Sequence, residues 1–170
     1  LGIEEQFYIL WPMLLWLVWR LRGSVIALTA MLTVFSFALN AWQIHTDAVA
    51  TFYLPFTRFW ELLIGALLAS CMLRTGAPVI GRPQATVASA VGMVLLGASF
   101  MLIDNSRAFP GWWALLPTAG TALIIWAGPQ VWLNRAVLSN RVLVWFGLIS
   151  FPLYLWHWPL LSFLRIVEGT

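Results

Sequence analysis

Three small groups of residues in this sequence have types and spacings that could do chemistry. Glu4 and Glu5 open an apolar segment, with Tyr8 about one helical turn and Trp11 about two turns further on. Arg58 and Glu61 stand three residues apart, a separation at which guanidinium and carboxylate can pair on one helix face. Ser150, Tyr154 and His157 follow a four-then-three spacing, so a helix projects a hydroxyl, a phenol and an imidazole from one side. Imidazole, carboxylate and phenol are groups that move protons in general acid–base catalysis. Metal chemistry is not indicated: there are two His and one Cys, at no ligand spacing. Neither a phosphate-binding glycine loop nor a GxSxG elbow is present.

The elements that must position these groups lie in an apolar medium. Of 170 residues, 62% are hydrophobic and only 9% are charged, with a mean hydropathy of +0.89. A soluble domain carries roughly a quarter charged residues, so this chain cannot cover a water-facing surface. Lipid is the partner such a surface requires. The 12 Trp fit this reading, because Trp is enriched at membrane–water interfaces. The net charge of +3 comes entirely from arginines set singly or in pairs between apolar stretches. That is the pattern of topology anchors, and it argues against nucleic-acid binding.

Uncharged stretches long enough to span a bilayer as helix occur at Gly23–Ile44, Pro83–Ile103, Ala108–Asn134 and Val142–Leu164. Phe7–Trp19 and Leu62–Leu73 are shorter, and reach spanning length only if Glu4 and Glu5, or Glu61, lie within the membrane region. The expectation is an all-α, polytopic transmembrane bundle with about six spans, and no strands. Residues 1–170 read as a single transmembrane domain, with Thr75–Gln84 as a loop between spans. Basic connections (Arg20 and Arg22, Arg74 and Arg82, Arg135 and Arg141) alternate with mixed ones (His45 and Asp47, Asp104 and Arg107). The positive-inside rule places the basic set in the cytoplasm and Glu4, Glu5, Arg58 and Glu61 near the outer face. Trp42, Phe52, Tyr53, Trp112 and Trp113 then form an outer aromatic belt.

Each group also has a plain structural reading. Glu4 and Glu5 suit an acidic first turn facing the helix dipole. Arg58 and Glu61 suit an ion pair anchoring a helix end. The stripe Ser150–Tyr154–His157 is harder to dismiss. A central charge in a span costs about 2.5–3.5 kcal/mol, and polar groups there face protein or water, not lipid. Pro152 and Pro159 bracket the stripe and are expected to distort its helix, and Pro12 frees a carbonyl on the first one. Cys71 reads as a small buried helix residue, His45 as a solvated loop residue, and Asn40 and Gln43 as helix-end residues.

Three blocks carry a family resemblance. Residues 1–12, Leu-Gly-Ile-Glu-Glu-Gln-Phe-Tyr-Ile-Leu-Trp-Pro, resemble the signature of acyltransferase family 3. Arg58-Phe59-Trp60-Glu61-Leu62-Leu63-Ile64-Gly65-Ala66 is similar to a second block of that family, and Gly147 to Pro159 to a third. Phe151 stands where the family often has Tyr. The resemblance implies a bacterial inner-membrane, multi-pass O-acyltransferase. Such proteins move an acyl group, often acetyl, from acetyl-CoA or another acyl-CoA to a hydroxyl of a surface carbohydrate such as lipopolysaccharide, exopolysaccharide or peptidoglycan.

Carried over by residue, the family's pattern implies catalytic roles for Glu5, Tyr154 and His157. It implies substrate contacts for Tyr8, Arg58, Glu61, Ser150 and Trp158. The implied partners are membrane lipids, a carbohydrate acceptor and the family's N-terminal half, whose Arg and His are usually assigned to catalysis and are not in this chain. On that reading the chain by itself is inactive. The different class of function kept open is a transporter or flippase for a glycan lipid, which also needs polar helix faces and broken helices.

Overall fold

The computed structural model describes residues 2–75, 81–104 and 108–168. The chain forms two compact units, Leu1–Gly128 and Pro129–Thr170. Among the described residues both are helical, without strands, as the apolar runs predict.

The first unit contains α1 (Gly2–Arg20), α2 (Val25–Gln43), the short α3 (Ala48–Tyr53), α4 (Phe59–Thr75), α5 (Arg82–Leu102) and α6 (Leu115–Ala127). Local chemistry sets several of their ends. Ser24 caps α2, its hydroxyl accepting from the Ala27 N–H at 3.3 Å. Asp47 caps α3 by accepting from the Ala50 N–H at 2.8 Å. Helix α1 closes with Arg22 in the left-handed region (φ 53°), while the Gly23 N–H returns to the Val18 carbonyl at 2.9 Å. Gly128, at φ 80°, ends α6.

Two packing modes build this unit. Helices α5 and α6 meet through small residues. Ala85, Ala88, Ser89 and Gly92 are buried on α5, and Gly92 faces Gly120 of α6. A Cβ built on Gly92 would lie 2.7 Å from the Gly120 carbonyl oxygen, and one on Gly120 would lie 2.9 Å from that of Gly92. The two backbones touch, as close-packed membrane helices do at small residues. Helices α2 and α4 meet instead through Trp60, only 1% exposed, and a set of polar side chains. The Trp60 ring stands edge-on to Phe37 at 5.0 Å, and Phe37 meets Trp112 at 5.1 Å.

The second unit holds a π-helical turn, Asn134–Leu138, and the long α7 (Arg141–Glu168). At 28 residues α7 is about 42 Å long, more than the hydrocarbon core requires. It is helical through Pro152 and Pro159 and buries none of its residues.

A helix falls within or across each of the six stretches read as spans, and three of those helices have the length and hydropathy of a span. Val25–Gln43, Arg82–Leu102 and Arg141–Glu168 are long and apolar enough to cross a membrane, and Gly111–Ala127 is a shorter apolar segment. Three expectations are corrected. The stretch Ala108–Asn134 is not one long span, because a 3-10 turn at Gly111–Ala114 precedes α6 and Gly128 closes it, leaving 13 residues of α-helix. Cys71 is exposed rather than buried, since α4 buries only Trp60 and Leu63, near its start. Asn40 is a fully buried link between helices as well as a residue near a helix end. Of the expected loop Thr75–Gln84, Thr75 belongs to α4 and Arg82 to Gln84 belong to α5. Residues 76–80 and Arg107 lie outside the described residues.

Candidate functional site

Arg58 sits at the entry to α4, and the backbone on both sides of it is held by side chains. The first N–H groups of a helix have no partner within it. Here the Trp60 N–H donates to the Ser36 hydroxyl at 3.0 Å, and that hydroxyl donates to the Phe56 carbonyl at 2.6 Å. Asn40 Nδ2 donates to the Thr57 carbonyl at 3.0 Å. The Thr57 hydroxyl reaches the carbonyls of Thr51 and Leu54 at 2.7 and 2.8 Å. Ser36, Asn40, Thr51 and Thr57 are all buried. In an apolar surrounding such bonds are the only satisfaction open to these groups, so they fix the chain on either side of Arg58.

The side chain of Arg58 is fixed as firmly. Its Nε lies 3.2 Å from Glu61 Oε1 and its Nη2 lies 3.0 Å from Oε2, a two-point fork on a carboxylate. The guanidinium also stands 5.0 Å from the centre of the Phe52 ring. Both charged side chains are 23% exposed, so the pair is partly sheltered and still reachable. It lines a cleft of about 390 Å³ between α4 and α6. Phe109, Pro117, Thr118, Thr121, Ala122 and Ile125 line it on one side, and Ile64, Gly65 and Leu68 of α4 on the other.

Helix α1 brings the first group towards this end of the unit. The Phe7 ring is buried, stacks on Trp11 at 5.5 Å and meets Phe59 at 5.6 Å, next in sequence to Arg58. Glu4, Glu5 and Tyr8 flank Phe7 and are exposed. The carboxylate that Arg58 binds is Glu61, not Glu5.

In the second unit, Ser150, Tyr154, His157 and Trp158 are all exposed on α7. The Ser150 hydroxyl donates to the Gly147 carbonyl at 2.7 Å. His157 Nδ1 lies 2.6 Å from the Tyr154 carbonyl oxygen, and the two rings are 5.5 Å apart. A carbonyl can only accept, so Nδ1 carries the proton. In the neutral ring Nε2 then keeps a free lone pair, the form that can take a proton from a hydroxyl. The prolines leave the carbonyls of Leu148 and Leu155 without their usual in-helix donor. Among the described residues no three metal-ligating side chains converge.

Sequence reasoning found the charged pair and the α7 stripe, but not what surrounds the pair. Phe52, Phe109, Thr118 and Thr121 become neighbours of Arg58 and Glu61 only through tertiary packing. The buried Ser36 and Asn40 did carry a signal: polar side chains four residues apart in an apolar helix share a face, which must meet polar partners rather than lipid.

An all-helical, largely apolar chain with a sheltered ion pair at a cleft and a polar stripe on a long helix is the setting in which the family comparison falls. Residues 1–167 match the acyltransferase domain family, so the chain belongs to acyltransferase family 3. It is 26% identical over 186 residues to a candidate O-acetyltransferase of Staphylococcus aureus (strain COL), covering 97% of this chain and 29% of that protein. It is 28% identical over 176 residues to the peptidoglycan O-acetyltransferase OatA of Listeria monocytogenes, covering 95% and 28%. With a candidate membrane-bound transacylase of Komagataeibacter xylinus, BcsY, it shares 28% identity over 159 residues, covering 94% and 39%. The chain thus spans under a third of the staphylococcal and listerial relatives. No solved structure matches it significantly.

Proposed function

We propose that this chain is part of a bacterial inner-membrane O-acyltransferase that moves an acyl group, acetyl first of all, from acetyl-CoA to a hydroxyl of a cell-surface carbohydrate. The observation that carries the reading is the cleft lined by the Arg58–Glu61 pair in a chain that belongs to an acyltransferase family. In the transfer, the acceptor oxygen bonds to the thioester carbonyl carbon, the carbon–sulfur bond breaks, and the hydroxyl proton ends on the departing thiol.

A sugar hydroxyl both donates and accepts hydrogen bonds. A forked Arg–Glu pair presents donors and acceptors about 3 Å apart with little net charge, which suits a neutral polyol. Phe109 offers the apolar face against which sugar C–H groups pack. Arg58 and Glu61 therefore hold the acceptor. Glu5, on the first turn of α1, orients a catalytic base or holds its charge, with Tyr8 beside it on the substrate side. On α7, His157 takes or returns a proton through Nε2, Tyr154 polarises the acyl carbonyl, and Ser150 and Trp158 line the path of the substrate. Membrane lipid covers the apolar faces, and the length that the relatives have beyond this chain completes the enzyme.

The test uses the full-length gene in a host without glycan acylation of its own. Mass spectrometry of the surface polysaccharide compares wild type with Glu5→Gln and His157→Ala at equal membrane levels. Acetylation that is present in wild type and lost in both variants is expected. Wild-type protein that acylates nothing, while a labelled glycan lipid crosses the membrane in its presence, would replace this reading with the flippase.

A further inference from the structure

We infer that the cleft between α4 and α6 is the slot for the acyl chain being transferred, and that Gly65 sets how long a chain it accepts. This rests on the acyl-transfer reading above. A hydroxyl held at the Arg58–Glu61 pair must be acylated there. The chain behind the acyl carbonyl then lies along walls that are mostly apolar: Ile64, Gly65 and Leu68 from α4, and Ala122 and Ile125 beside the Thr121 hydroxyl from α6. At the helical rise, Gly65 is about 6 Å and Leu68 about 10.5 Å along the axis from Glu61. An acetyl group, with one methyl behind its carbonyl, stops short of Gly65. A longer chain has to pass it.

The glycine itself points the same way. Glycine inside a helix is unfavourable relative to alanine, so its presence there calls for a reason. At Gly92 and Gly120 the reason is a neighbouring backbone within 3 Å of any added Cβ. At Gly65 there is none: a Cβ would meet nothing within 4 Å and the backbone is ordinary helix, as at Gly97 and Gly147, but of these three Gly65 alone lines the cleft. What the missing side chain leaves is open space beside a residue that lines the cleft.

Full-length wild type, Gly65→Ala and Gly65→Leu are compared with acetyl-, butanoyl- and hexanoyl-CoA as donors and one acceptor glycan. Gly65→Leu should lower the ratio of hexanoyl to acetyl transfer about tenfold or more, with Gly65→Ala in between. As a binding readout, Gly65→Cys in a Cys71→Ser background is labelled with a methanethiosulfonate reagent, because Cys71 is itself exposed. Hexanoyl-CoA should slow that labelling and acetyl-CoA should not. A wild type restricted to acetyl, an equal fall for all three donors, or labelling indifferent to hexanoyl-CoA overturns the slot while the acyl-transfer reading stands. No transfer from any donor by the wild type, under conditions where it is membrane-inserted, overturns the acyl-transfer reading instead, and the slot falls with it.

Discussion

The entry to α4 and the stripe on α7 are both polar features in apolar helices, and their surroundings differ sharply. Around Arg58 the ion pair and the adjoining backbone groups find their partners locally. Glu61 takes the guanidinium at two points, Phe52 covers one face of it, and Ser36 and Asn40 hold the backbone on either side. On α7 the polar groups turn to their own helix: Ser150 to Gly147, His157 to Tyr154. No residue of α7 is buried. The first region is an organised site whose geometry is set before any ligand arrives. The second is a row of polar groups in fixed order on a helix that its own unit does not bury. Pre-organisation and identity are separate properties, and this chain shows each in a different place.

Substitutions that take away one property and leave the other probe this difference. The largest effect is expected for Glu61→Ala in the full-length protein. It leaves Arg58 unpaired at the cleft, and glycan acylation should drop about a hundredfold at unchanged membrane levels. Retained activity would mean that the pair is only a helix anchor. Next is Gly92→Ala, which forces a methyl against the Gly120 carbonyl and should destabilise the first unit by about 2–3 kcal/mol. The midpoint of SDS- or heat-induced unfolding in detergent measures it, and Gly97→Ala, where an added Cβ meets nothing within 4 Å, is the control.

Ser36→Ala should cost about 1–2 kcal/mol by stranding the Trp60 N–H and the Phe56 carbonyl, whereas Ser150→Ala should stay within about 0.5 kcal/mol. Equal losses at the two serines would erase the distinction between a locally completed site and an open one. The smallest effect has the opposite sign. Arg22→Gly relieves a left-handed arginine at the end of α1 and should raise the unfolding midpoint by the equivalent of about 0.5–1 kcal/mol.

Most of the helices were legible because apolar run length is a direct reading of what lipid tolerates. The charged pair was legible because its spacing lies within a single helix. The misreadings share a cause. Ala108–Asn134 is uniformly uncharged, so hydropathy passes over Pro110, Gly111 and Gly128, which divide it by backbone geometry. Cys71 was misplaced because burial depends on where α4 meets α2 and α6, and those contacts crowd its first turns. Asn40 looked like helix-end polarity until Thr57, 17 residues on, proved to be its partner. Its Oδ1 and the Trp60 Nε1 are buried without a partner among the described residues, so this junction favours position over maximal stability. Thr118 and Thr121 could not be linked to Arg58 from spacing at all, because they come from a helix two elements away.

The Gly92–Gly120 contact has a mechanical consequence. Helices whose backbones touch cannot slide without losing that fit, so α5 and α6 move as one stiff pair. Helices α2 and α4 form another, stitched by buried hydrogen bonds at Ser36 and Asn40. The interface between α4 and α6 is the less extensive one, and the cleft lies along it. Any widening or narrowing of the cleft is therefore a shear of one pair against the other, with the seam as its slip plane.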